Sequence, residues 1–338
     1  MGWRGRVAAA AVAVTALGLA SGCSFGGGSG GELTIYNAQH QDLVTVMVDA
    51  FTKETGIKVT LRNGGDFELG NQIVEEGSAS PADVFLTENS PAMTLVAGKG
   101  LFAPLDAETV AQVPARWVSS GKDWTGFAAR STVLAYNPAL QPAAGLPKSI
   151  MDLAGPAWKG GVGIAAAGAD FQAIVSAVVA VKGPAATEAW LKGLKTNARI
   201  YRNNVAVMSA VNAGEVRTGI MYHYYWYKDR AEAGTNSKNV ELKFFGNRDA
   251  GAFVSVSGAG VLRSSKHAAD AQRLVRYLTS KAGQQVLVSS GALEYPVGTG
   301  VAPNAKLTPL SELDPPSVDI GRLNGPQVVA LMQQAGLL

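Results

Sequence analysis

A single cysteine, Cys23, in 338 residues leaves no second thiol, so structural disulfides and any cysteine-built metal site are excluded at once. Histidine is almost as scarce, with three residues, and no H-E-x-x-H occurs. No G-x-S-x-G elbow is found between a strand and a helix, so the commonest hydrolase signatures are missing. Catalysis needs an activated nucleophile or an open coordination position, and nothing here nominates either, which argues against an enzyme. Only 16% of residues are charged and no long charge run interrupts the chain, so nucleic acid is excluded as a partner. The longest uncharged apolar run, Val7 to Ala20, is too short to span a bilayer, which needs about 20 residues.

What is present at the start is a basic pair, Arg4 and Arg6, followed by that apolar run and then small residues, the layout of a secretory signal. The run closes on Leu19-Ala20-Ser21-Gly22-Cys23, which resembles the lipobox of bacterial lipoproteins, with Ala20 where leucine is commoner. The resemblance implies a signal peptide over 1–23 and lipidation of Cys23, a role that also removes the liability of a free thiol outside the cell. Ser24 to Gly31 is a Gly/Ser tether with no means of packing. Without Arg4 and Arg6 the 29 Lys and Arg fall to 27 against 26 Asp and Glu, so the mature chain is nearly neutral. The expected location is extracytoplasmic, lipid-anchored to the outer face of the cell membrane.

From Glu32 onward, strand-like runs alternate with amphipathic segments. Glu32–Tyr36, Ile57–Leu61 and Ala82–Leu86 read as strands; Asp42–Thr55 reads as a helix with Leu43, Val46, Met47, Ala50 and Phe51 on one stripe and Gly56 at its end. A second block follows Val133–Tyr136: strands at Gly161–Ala165 and Thr218–Tyr222, helices at 171–181, 185–194 and 205–213, two more between 261 and 290, and a short one at 327–335. This rhythm predicts an α/β protein of two lobes, each a mixed, mainly parallel sheet flanked by helices, with the ligand cleft at the hinge between them.

Three strand ends carry unusual residues. Asn37-Ala38-Gln39-His40 follows the first strand, Thr87-Glu88-Asn89 the third, and Tyr222 to Tyr227 reads Tyr-His-Tyr-Tyr-Trp-Tyr in a chain with only 7% aromatics. Tyr224 and Tyr225 can converge on one point only where strand turns into helix, although tyrosines packed at a cleft rim would give the same pattern. Phenolate, carboxylate and imidazole together suit a hard, highly charged cation, and ferric iron is the one this set suggests. Zinc rarely needs phenolates, and calcium or magnesium would want more carboxylates.

Quoted in order, YNAQH (36–40), FTKETGIKV (51–59), PADVFLTEN (81–89), AWKG (157–160), NAGEV (212–216), HYYWY (223–227), SGAGVL (257–262) and EYP (294–296) resemble the bacterial periplasmic ferric-iron-binding proteins. These are the iron class of type II solute-binding proteins of ABC importers, and the likeness covers the whole mature chain. It implies the type II periplasmic-binding-protein fold, with 32–131 and 255–307 in the N-terminal lobe and 132–254 and 308–338 in the C-terminal lobe. It implies His40, Glu88, Tyr224 and Tyr225 as ligands to Fe³⁺, a monomer, and an importer permease and ATPase as partners. The family completes iron's octahedron with a synergistic anion, phosphate or carbonate, and the matching positions here are Gly168, Ala169, Asp170, Asn204 and Arg130. The loop 166–170 lacks the hydroxyl and amide side chains usual there, and Tyr222 replaces a usual asparagine. Asp170 either caps the helix from Phe171, the reading preferred on sequence, or lends an oxygen to the metal. Arg130 either forks onto a planar anion or makes a surface salt bridge. The rival ligands are an oxyanion, a polyamine or a phosphorylated small molecule, and the tyrosine pair with His40 and Glu88 argues against an anion.

Overall fold

The computed structural model describes residues 32–338, so the signal, the tether and Cys23 lie outside the described residues. Strand β1 (Leu33–Asn37) leads through helix α1 (Gln41–Thr55) to β2 (Val59–Asn63), and α2 (Asp66–Glu76) leads to β3 (Val84–Leu86). β1 pairs parallel with β2 on one side and β3 on the other, as crossovers through helices require. In α1 the buried stripe is Leu43, Val44, Met47, Val48 and Phe51, not the one expected. Val46 is 45% exposed, because at about 100° per residue it points away from the Leu43–Met47–Phe51 line. Gly56 ends the helix with φ of 76°, a left-handed position that favours glycine, and its N–H donates to the Thr52 carbonyl.

Helices α3 (Ser90–Gly98) and α4 (Ala107–Ala111) precede β4 (Trp124–Tyr136), a 13-residue strand buried along its whole length. The chain then builds β5 (Val162–Ile164), α5 (Ala169–Lys182), α6 (Pro184–Asn197), β6 (Ala198–Ile200), α7 (Asn204–Ala213), β7 (Thr218–Tyr222), α8 (His223–Ala231) and β8 (Glu241–Lys243). It returns through β9 (Val254–Val261), α9 (Ala268–Thr279), α10 (Lys281–Ser289) and β10 (Tyr295–Pro296), and closes with α11 (Gly325–Gln334). Strand order runs β2-β1-β3-β9-β4-β7-β5-β6, with β10 and β8 also on β4.

β4 serves both halves. Residues 124–131 pair antiparallel with β9, and 132–136 pair antiparallel with β7. Each half is therefore a mixed sheet, parallel at β1–β3 and β5–β7 and antiparallel around β4. Alternate residues fill opposite faces: Ile35, Val84 and Leu86 pack under α1 and α9, while Tyr36 and Phe85 pack with α3 residues and Trp124. In the second half Ile164, Ile220 and Leu134 pack with α5, α6 and α11, and Met221 and Val133 with Met208 and Val211 of α7. The segment from 308 to 323 touches both halves: Leu313 and Ile320 join the Trp117–Trp124 core and Thr94 Oγ1 donates to the Ile320 carbonyl, while Leu323 packs with Ala173 and Ala177 of α5, and α11 joins the second half. Among the described residues no helix is long and apolar enough to cross a membrane.

Candidate metal centre

Four loops or helix starts meet where the halves face each other. His40 stands just ahead of α1, Glu88 between β3 and α3, Tyr224 and Tyr225 in the first turn of α8, and Asp170 in the first turn of α5. The strand-to-helix change falls between Tyr222 and His223, and it lays the Tyr224 and Tyr225 rings 4.2 Å apart between centroids at 31°. Glu88 is held from behind: the buried carboxylate of Asp66, first residue of α2, accepts the N–H groups of Glu88 (2.8 Å) and Asn89 (3.0 Å).

The polar atoms converge closely. Tyr224 OH donates to Glu88 Oε1 at 2.8 Å, and His40 Nε2 lies 2.8 Å from that hydroxyl and 3.3 Å from Glu88 Oε1. Tyr225 OH donates to Asp170 Oδ2 at 3.0 Å. Metal bonds of about 2.0–2.2 Å to such donors put adjacent corners of an octahedron roughly 2.8–3.1 Å apart. The Tyr224–Glu88, Tyr224–His40 and Tyr225–Asp170 separations fall in that range, and the His40–Glu88 separation is slightly longer. Among the described residues no cluster of three or more His, Cys, Asp or Glu side chains could hold a metal.

Burial, reinforced by Glu88 and Asp170, pushes both phenols well above their ordinary range, so they stay protonated until a cation displaces the proton. Burial works against the Glu88 charge, yet His40, Arg130 and Tyr224 hold its carboxyl down at about 2. Burial likewise opposes a charge on His40, and the adjacent Glu88 more than offsets it, raising the imidazole.

Asp170 departs from the cap expected on sequence. Its helix begins at Ala169 with Gly168 as N-cap and no side-chain cap bond, so Asp170 is the second helical residue and its carboxylate turns into the interface. There Oδ1 accepts from Asn89 Nδ2 (2.9 Å) and Oδ2 from Asn204 Nδ2 (2.7 Å). Burial, then the Glu88 charge, pushes it up to about 7. Asn204 therefore contacts a carboxylate of the chain itself. Gly168 is the N-cap of α5 and Ala169 its first residue. Arg130 is neither at a strand end nor on the surface: it sits mid-strand in β4, fully buried and paired with Glu294 at 2.6 Å.

Sequence reasoning missed Asn89 as an inter-lobe clasp. Besides Asp170, it engages Tyr222 OH (3.2 Å) and Ser255 Oγ (2.9 Å), both donating to its Oδ1. The available signal was Asn89 following Glu88 while Tyr222 replaces an asparagine.

His223 faces away from the metal donors. Its Nδ1 accepts the Ser131 N–H at 3.1 Å, where β4 passes between sheets, and its ring stacks on Tyr295 at 4.8 Å. Burial, followed by the Arg130 charge, lowers it to about 3, so it is neutral. The unfolded chain takes up a proton near 6.5 and the folded one only near 3. Stability is therefore full above 6.5 and declines as pH falls through that window, by on the order of 4 kcal/mol. His223→Asn, which keeps an acceptor for Ser131, should lower the slope of denaturant-derived stability against pH by about one proton's worth between pH 6.5 and 4 relative to the parent; an unchanged slope would sink the assignment.

Comparison with known proteins places these features in context. A family model described as bacterial extracellular solute-binding protein matches residues 79–318. The chain is 59% identical over 306 residues to a Fe(3+)-binding periplasmic protein of Serratia marcescens, covering 90% of each chain. It is 37% identical to the major ferric iron-binding protein of Neisseria meningitidis serogroup B, over 90% of this chain and 93% of that one. Iron-bound HitA from Pseudomonas aeruginosa superposes with a TM-score of 0.86 and 43% identity, covering 90% of this chain and 99% of that one.

Proposed function

The chain belongs to the bacterial extracellular solute-binding proteins, and from that premise we propose that it captures ferric iron and delivers it to an ABC importer. The observation that carries the reading is the convergence of Tyr224, Glu88 and His40 within 3.3 Å of one another, with Tyr225 and Asp170 completing a hard, anionic donor set. Tyr224 and Tyr225 from the second lobe meet the ion first. Hinge closure then brings His40 and Glu88 onto it, and the Asn89–Asp170 bond fastens the lobes.

Asp170 supplies the oxygen that an exogenous anion would otherwise bring. Two phenolates, Glu88 and Asp170 already carry four negative charges against three on the metal. Adding carbonate or phosphate would deepen a negative excess in a buried site. A polyamine would want carboxylates spaced along a slot, whereas these donors crowd into one coordination sphere. Lipidation of Cys23 would hold the monomer at the outer face of the cell membrane, near the permease and ATPase it serves.

Titration of the apo protein with Fe³⁺ from citrate tests the reading. A tyrosinate-to-iron charge-transfer band saturating at one equivalent is expected, without added bicarbonate or phosphate. If iron stays with citrate and no band appears, the reading is wrong.

A further inference from the structure

We propose that Glu294 sets the anion specificity of this site, by holding Arg130 in a buried ion pair that keeps its guanidinium from recruiting an exogenous oxyanion to the metal. The inference rests on the iron reading above. β10 pairs antiparallel with β4 in the register Tyr295–Ala129 and Pro296–Ala128, which sets Glu294 directly across from Arg130. Arg130 Nη2 donates to Glu294 Oε2 at 2.6 Å and to Ser257 Oγ, and both charged side chains are 0% exposed. The guanidinium carbon lies 5.9 Å from the ring centroids of both Tyr222 and Tyr224, immediately behind a metal donor.

The other two guanidinium nitrogens, Nε and Nη1, have no hydrogen-bond partner among the described residues, and neither has Glu294 Oε1. Nε and Nη1 lie on different edges, so the guanidinium could fork onto a planar oxyanion only through Nε with Nη2 or Nη1 with Nη2, and both need the nitrogen that Glu294 and Ser257 hold. What it lacks is freedom and net charge, because Glu294 pins Nη2 and cancels the positive charge locally. A buried pair of this kind is weak evidence for stability, since apolar replacements are often as stable, and its position behind Tyr224 points to a role at the site. Asp170 then remains the anionic donor, and Glu294 acts through Arg130 as a positioning residue.

The test uses iron-citrate titrations of the full chain in carbon-dioxide-depleted buffer, with and without bicarbonate. The parent band should be indifferent to bicarbonate. Asp170→Asn should bind iron more weakly and stay indifferent, because Arg130 is still held. Asp170→Asn with Glu294→Gln should regain at least tenfold in affinity when bicarbonate is added. Asp170→Asn with Glu294→Asp, which keeps the charge but shortens the reach, should respond partially and serves if the Gln variant does not fold. Replacing Arg130 and Glu294 together by Met in the Asp170→Asn background should remove every response. A bicarbonate response of Asp170→Asn alone, indifference of both the Gln and Asp combinations, or a response in the Met variant overturns the inference while a normal parent band leaves the iron reading intact. Absence of any parent band overturns both.

Discussion

Replacing Tyr224 and Tyr225 together by Phe is expected to abolish the charge-transfer band and leave ferric iron with citrate, in a protein that still folds. Both rings keep their volume, and Tyr224 packs in the second-lobe core with Tyr222 and Ile220, so no cavity opens. The losses are the hydroxyl bonds to Glu88 and Asp170, each costing about 1–3 kcal/mol where a buried acceptor is left unsatisfied. Circular dichroism should show the native fold with a lowered melting temperature. Outer-shell changes typically cost 10–100-fold in metal affinity, and removing both phenolates exceeds that by orders of magnitude. Tight iron binding retained in the double variant would refute the site.

Acidification is expected to weaken iron binding steeply, and the steepness to change with pH. The two phenols, raised by burial and the nearby carboxylates, give up their protons at any working pH. Asp170 is pushed up to about 7, chiefly by burial, and His40 is raised by Glu88 against the opposing effect of its own burial. Below about pH 6 both carry protons that the metal must displace, whereas Glu88, at about 2, never does. Roughly two protons should leave per iron at pH 9 and roughly four below pH 6, so one pH unit costs about 100-fold in the first range and about 10⁴-fold in the second. The sign is opposite for the stability of the empty protein: Asp170, raised from 3.8 to about 7, favours the fold at low pH and loses that contribution as pH rises through that window. Iron offsets that loss by neutralising the carboxylate. Proton release measured in weakly buffered solution reads the count directly. Asp170→Asn should cap it near three; a pH-independent release of one proton would contradict the donor set.

The four residues proposed as ligands could be singled out because their residue types are rare and stand at strand ends, and because eight short segments match a known family in order. Residues that act by facing across the molecule were not. Asp170 read as a cap because local chemistry favours aspartate at helix starts; the helix begins two residues earlier than its sequence pattern suggested, which rotates the carboxylate toward Asn89 and Asn204. Arg130 read as a strand-end residue, with an anion fork and a surface salt bridge both open, because the length of β4 was not apparent, and its partner Glu294 is 164 residues away.

By itself the sequence determined the alternation of strands and helices, the mixed sheets, the family and the residues rich enough in chemistry to bind a cation. These follow from local periodicity and side-chain type, which the chain carries at every position. Only the tertiary structure decided which of these polar groups stand within 3.3 Å of one another, that Tyr225 meets Asp170, and that Arg130 lies sealed against Glu294. Those facts depend on strand register and on how two separately built sheets share β4. Such geometry is long-range in sequence, and no local preference encodes it.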